Sequence, residues 1–152
     1  MSELKITNND GNITLDYDQT VCPYHRVIAD LVTKHALGNQ TSILDLGCGV
    51  GNTLLEIQRR DDRFKFTIAD VDEQCLEITQ QRVDRDCDKI HLESAADVQR
   101  IDRQFDVVLL SHVLHYDPQP RRTIAKIFSM LRPDGFLAVS YTHLTLPMTP
   151  YV

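Results

Sequence analysis

The chain has 152 residues, with 16 Lys and Arg against 22 Asp and Glu for a net charge of −6, and 42% apolar residues. This is one domain's length with enough apolar content for a core, which excludes disordered and collagen-like chains. The acidic balance offers no field to displace phosphate counterions, so general nucleic-acid binding is not expected, and no apolar run of about 18 residues is available to cross a membrane. Residues 1–10 lack the apolar stretch of a secretory leader, and Cys22, Cys48, Cys75 and Cys87 form no C-x-x-C pair. Free thiols in a cytoplasmic setting are the expectation.

In chain order, Lys5–Asp18 alternates weakly around Asp10-Gly11 and predicts a small hairpin. Tyr24–Leu37 has helical spacing and stops at Gly38-Asn39. A regular pattern follows: strand Ser42–Leu46, a glycine loop, and helix Thr53–Arg60 with Thr53 and Glu56 as a capping box. Next come strand Phe64–Ala69 and a helix from cap Asp72 to Val83, its inner face being Leu76, Thr79 and Val83. Strands Lys89–Glu93 and Phe105–Ser111 precede helix Pro120–Leu131, with core face Ile124, Ile127, Phe128 and Leu131. A turn at Pro133-Asp134-Gly135 then leads to strand Phe136–Ser140. Strands alternating with helices predict an α/β fold with a doubly wound, mostly parallel sheet. Residues 1–40 read as an N-terminal arm and helix, and 41–140 as the core.

The chemistry concentrates in Ile43-Leu44-Asp45-Leu46-Gly47-Cys48-Gly49-Val50-Gly51-Asn52-Thr53. Glycines between a strand and a helix start let the backbone approach a ligand, and the helix start favours an anionic group. The spacing is G-x-G-x-G and not the G-x-G-x-x-G of dinucleotide-binding oxidoreductases, which counts against a nicotinamide enzyme. Asp70, at the end of the next strand, stands where an acid can accept both ribose hydroxyls of an adenosine cofactor.

The blocks ILDLGCGVGNT, FTIADVDEQCLE, FDVVLLSHVLHY and IFSMLRPDGFLAVS, in this order, resemble the class I S-adenosylmethionine-dependent methyltransferases over about Thr41–Ser140. The resemblance implies a Rossmann-like fold, S-adenosyl-L-methionine as cofactor and S-adenosyl-L-homocysteine as product. It places Asp45, Gly47, Cys48, Gly49 and Gly51 at the methionine end of the cofactor, Asp70 at the ribose and Val71 against adenine. Ser111 and His112 would lie beside the methionyl end and the transferred methyl. The family's adenine-binding acid has no direct match: Ala95 stands there, leaving Asp97 or the Ala96 carbonyl as substitutes. No Asn/Asp-Pro-Pro-Tyr/Phe motif follows Ser111, which counts against the amide and exocyclic-amine methyltransferases that use it; the small-molecule acceptor is implied by the resemblance alone. A non-catalytic module binding the cofactor or its product is the alternative.

His112 and His115 form H-x-x-H without a convincing third ligand, so no metal site is expected. Their place after the fourth core strand makes them candidate bases, with His115-Tyr116 as candidate acceptor-pocket lining. Tyr17, Tyr24 and His25 precede the core; the resemblance implies that such N-terminal segments close over the cofactor, and helix-entry packing is their simpler role. Residues 139–147 can be encoded by GTC TCT TAT ACA CAT CTG ACG CTG CCG, which resembles a transposase end and adapter of sequencing libraries. The expectation is a native frame lost near Ala138–Ser140, a non-native tail at 141–152, and strands six and seven of the family fold missing.

Overall fold

The computed structural model describes residues 5–7, 14–16, 23–39, 41–83, 86–111 and 117–140. The tail at 141–152 lies outside them, as do Tyr17, Cys22, His112, His115 and Tyr116. Strands β1 (Lys5–Thr7) and β2 (Thr14–Asp16) pair antiparallel with Ile6 opposite Leu15, the register a hairpin around Asp10-Gly11 requires. Helix α1 (Pro23–His35) carries Lys34 and His35 in its last turn, where cations suit the helix dipole. The chain then turns through Gly38 at φ 90°.

The core is a five-stranded parallel sheet of β3 (Thr41–Leu46), β4 (Phe64–Asp70), β5 (Asp88–His91), β6 (Phe105–Ser111) and β7 (Leu131–Ser140). Its order is β5-β4-β3-β6-β7. The chain leaves β3 first toward β4 and later returns on its other side with β6. Strand order therefore reverses beside β3, and the crevice at the strands' carboxyl ends is where such sheets bind ligands. Helices α2 (Asn52–Arg60) and α3 (Glu73–Arg82) join α1 on one face, where Val32, Leu54, Ile57 and Leu76 pack on Ile43, Phe66, Ile68 and Leu109. Helix α4 (Pro120–Met130) and a 3₁₀ turn (Ala95–Arg100) cover the other, where Val98, Ile127 and Met130 pack on Leu44, Leu46, Val108 and Leu110. Alternate residues of β3 and β6 thus enter opposite clusters, which is why FDVVLLS reads as an unbroken apolar run.

Three elements differ from the sequence reading. Strand β5 stops at His91, and the 3₁₀ turn after it was not foreseen. Its cue is Asp97, whose Oδ2 accepts the backbone N–H groups of Glu93 (2.9 Å) and Ser94 (3.1 Å). Helix α4 buries Thr123, Ile127 and Met130, while Phe128 is 60% exposed and Leu131 has already entered β7. The stripe still centres on Ile127, but packing selects the flank carrying Thr123, a choice apolarity alone does not indicate.

The turn at Pro133-Asp134-Gly135 sits inside β7 as an irregularity. Phe105 pairs with Leu131 and Val107 with Phe136, so two steps along β6 match five along β7. Arg132 holds the excursion by donating to Asp106 Oδ2 and Ser42 Oγ, both at 3.0 Å, while Asp106 Oδ2 also accepts from Ser42 N at 2.8 Å. A Cβ on Gly135 would lie 2.8 Å from the carbonyl oxygens of both Arg132 and Asp106. Gly135→Ala is therefore expected to destabilise the chain by about 1–3 kcal/mol, read as a lower urea midpoint at unchanged slope.

Candidate cofactor site

The loop after β3 is pinned from two sides. The N–H groups of Gly47 and Cys48 both donate to Ala69 O, at 2.7 and 3.3 Å, tying the loop to the end of β4. On the α3 side, Thr79 Oγ1 donates to Gly49 O at 2.7 Å, and Arg82 donates to Val50 O and to Asn52 Oδ1. Gly49 and Gly51 have φ of 53° and 83°, in the left-handed region where a side chain is strained. Their surroundings differ. A Cβ on Gly51 would lie 2.8 Å from Thr79 Cγ2, whereas one on Gly49 would meet nothing within 4 Å. Gly51 closes the loop against α3, and Gly49 faces open space.

Two carboxylates meet at this loop. Asp70 Oδ2 accepts the Gly49 N–H at 3.0 Å, and its Oδ1 accepts the Asp72 N–H at 2.9 Å. Asp45, on β3, is 2% exposed, and its Oδ1 is buried without a hydrogen-bond partner. Burial, and secondarily the charge of Asp70, push its pKa up to about 7. The Cys48 thiol is pushed well above its ordinary range by burial and by the same two acids. It stays protonated at neutral pH, which suits a packing thiol and not a nucleophile. A buried carboxyl with an idle oxygen, beside a second acid, fits a cationic hydrogen-bond donor.

The capping box expected from Thr53 and Glu56 does not form. The N-cap of α2 is Gly51, which has no side chain to offer. Thr53 instead shares a 2.8 Å hydrogen bond with His25 Nδ1 of α1. Glu56, buried, pairs with Arg60 (2.8 Å) and Arg59 (2.7 Å), and these partners hold its carboxyl below the usual range. The amino end of α2 is thus left without a side-chain cap where the loop delivers it, as in helix starts that receive anionic groups.

The structure gathers Asp45, Gly47, Cys48, Gly49, Gly51 and Asp70 around one loop. Val71 follows at the rim, 55% exposed, and its carbonyl accepts from His91 Nε2 at 3.2 Å. Ala96 and Asp97 lie in the 3₁₀ turn beyond β5, with Asp97 engaged as its cap. Ser111 ends β6, its backbone paired with Ser140 in β7. Sequence reasoning missed the supporting roles of Thr79, Arg82 and His25. Thr79 left a signal as a polar residue on the inner face of α3, and His25 stood out before the core without its partner Thr53 being foreseeable, whereas Arg82 left none.

The model of a methyltransferase domain family matches residues 44–137, more than half of the chain. The demethylmenaquinone methyltransferase of Leptospira interrogans is 31% identical over 119 residues, which cover 73% of this chain and 48% of that protein. The malonyl-(acyl-carrier protein) O-methyltransferase of Halalkalibacterium halodurans is 26% identical over 124 residues, 76% of this chain and 45% of that one. The chain therefore spans about half the length of these two curated relatives. Among solved structures, the N-methyltransferase NodS from Bradyrhizobium japonicum WM9 shares the fold at a TM-score of 0.64 and 21% identity, covering 89% of this chain and 68% of that one. The cyclase SpnF shares it at 0.61 and 24%, covering 75% and 43%. With its Rossmann-like sheet, its glycine loop and this match, the chain belongs to the methyltransferase domain family of class I architecture.

Proposed function

We propose that the chain is the cofactor-binding part of an S-adenosyl-L-methionine-dependent methyltransferase that acts on a small-molecule acceptor. The observation that carries this is the buried, unpartnered Asp45 oxygen beside a glycine loop that Asp70 bridges. The structure of NodS is a complex with S-adenosyl-L-homocysteine, which supports the same ligand here. Asp45, Gly47, Cys48, Gly49 and Gly51 would hold the methionine end, the Asp45 carboxylate facing its ammonium. Asp70 would take the ribose hydroxyls and Val71 one face of adenine, with the Ala96 carbonyl or Asp97 at the adenine edge. Because Asp97 already caps its own turn, the Ala96 carbonyl is the better donor-facing group.

When bound, the cofactor supplies a methyl group activated on a sulfonium. The chain's part is to orient, an effect of about 7–11 kcal/mol when reacting groups are held in line. Asp45, Gly49 and Asp70 fix the cofactor's end of that line. Ser111 ends β6; Ser111 and His112, the next residue in sequence, would lie beside the methionyl end and the transferred methyl, and His112 or His115 would take a proton from a hydroxyl or ammonium acceptor. His112→Ala and His115→Ala are each tested with the true acceptor. At least one is expected to lower turnover about 100-fold, and unchanged turnover in both removes them as bases.

The direct test of the reading is calorimetry with S-adenosyl-L-homocysteine, with NADH as control. Tight binding of the former alone is expected, and its failure to bind sinks the proposal. SpnF is a cyclase, so this fold does not by itself entail methyl transfer. Release of S-adenosyl-L-homocysteine in the presence of acceptor separates a methyltransferase from a non-catalytic binding module.

A further inference from the structure

A buried polar contact joins helix α1 to the start of α2. His25 is 8% exposed and Thr53 is 4% exposed, and their Nδ1 and Oγ1 atoms lie 2.8 Å apart across 28 residues of sequence. The Tyr24 ring leans on the imidazole with centroids 4.0 Å apart. Thr53 is the second residue of α2, two beyond Gly51, whose backbone closes the loop by donating to Cys48 O and accepting from Leu55 N, each at 3.0 Å. No side chain caps this helix end. The loop is braced by β4 at Gly47 and Cys48 and by α3 at Gly49 and Val50. At Thr53, its third attachment point, the side-chain bond runs to α1.

We propose that His25 is a positioning residue: through Thr53 it holds the uncapped amino end of α2 in the orientation that presents the loop to the cofactor, and so couples α1 to cofactor affinity. This rests on the reading of the loop as the cofactor site. A buried hydrogen bond that ties two helices keeps its geometry only while both partners remain, so loss of either leaves an unsatisfied group at the base of the loop. The free energy then appears in whichever state needs that helix end ordered.

The test uses the full chain and S-adenosyl-L-homocysteine as probe, by calorimetry well below the melting range. Asn places its amide near the Nδ1 position of His, whereas Gln places it near Nε2. His25→Gln and Thr53→Val are each expected to weaken binding about tenfold, and the double variant no further. His25→Asn and Thr53→Ser are expected to stay within about twofold of the parent. Unchanged affinity in His25→Gln and Thr53→Val, with only a lower melting midpoint, overturns the proposal and leaves His25 as packing. Should His25→Gln fail to fold, the isosteric Thr53→Val alone carries the comparison. Amide hydrogen exchange of residues 51–55 gives a readout that needs no ligand. If the parent chain binds no S-adenosyl-L-homocysteine, the cofactor reading fails, and exchange alone judges the latch. Faster exchange in Thr53→Val upholds the coupling of α1 to this helix end, and unchanged exchange overturns it.

Discussion

Asp45→Asn is expected to stabilise the ligand-free chain above pH 7 while weakening S-adenosyl-L-homocysteine binding about 100-fold or more. Both effects come from one buried carboxyl. Its pKa stands at about 7 in the folded chain against an ordinary 3.8. Between those values the folded chain holds a proton that the unfolded chain has released, so stability falls as pH rises from about 4 to about 7. Above pH 7 the carboxylate is buried without a cation, at a cost of about 4 kcal/mol at most. Asn removes the charge but remains a buried polar group, so a gain of about 2 kcal/mol, roughly 4–8 °C in the melting midpoint, is expected at pH 8. The gain should vanish at pH 4, where Asp45 is protonated.

Binding moves the other way. A cationic group placed against the Asp45 oxygen favours its ionised form, and loss of one partner of a buried charged pair costs about 2–5 kcal/mol. For the same reason the parent chain should bind more tightly as pH rises through 7, and below it binding should release a proton. Calorimetry at pH 6 in two buffers of different ionisation enthalpy measures that proton. Equal heats in both buffers, with affinity flat from pH 6 to 8, would show that Asp45 does not face the cation.

Gly51→Ala and Gly49→Ala should separate folding from binding. Both positions lie in the left-handed region, where a side chain costs about 1–2 kcal/mol. At Gly51 the new methyl group also meets Thr79 Cγ2 at 2.8 Å, and overpacking adds about 1–3 kcal/mol. Gly51→Ala should therefore lower the melting midpoint by roughly 5–15 °C, from strain that reaches the Thr79–Gly49 bond. Gly49→Ala meets no atom and should stay within a few degrees of the parent. Its methyl group nevertheless enters the space the cofactor would occupy, so S-adenosyl-L-homocysteine affinity should fall at least tenfold. Equal melting losses in the two variants would mean the loop packs differently against α3. Undiminished affinity in Gly49→Ala would move the cofactor away from this face of the loop.

Much of this molecule is legible in its sequence, because the information is local or periodic. FDVVLLS is apolar on both faces and can only be a strand covered on both sides, as β6 is. G-x-G-x-G reads as a tight loop between strand and helix because left-handed backbone selects glycine, and Asp72 reads as a cap because its carboxylate reaches the Gln74 N–H two residues on. The family motif, the placing of Asp70 at the end of its strand and the hairpin register follow from short spacings as well.

What the tertiary structure decided is where polar side chains spend their hydrogen bonds. Thr53 and Glu56 have the spacing of a capping box, yet His25 from 28 residues away and the neighbouring arginines claim them. The flank of α4 that turns inward is chosen by the sheet it meets, which accepts Thr123 and leaves Phe128 outside. Pro133-Asp134-Gly135 reads locally as a turn, but Arg132 and Asp106 absorb it within β7. The raised pKa of Asp45 exists only because the fold buries it beside Asp70, which follows it by 25 positions and a strand crossover. Spacing along a chain states which partners are near. Only the packed structure settles the competition among them, because each donor and acceptor can be satisfied from across the fold as well as from its own turn.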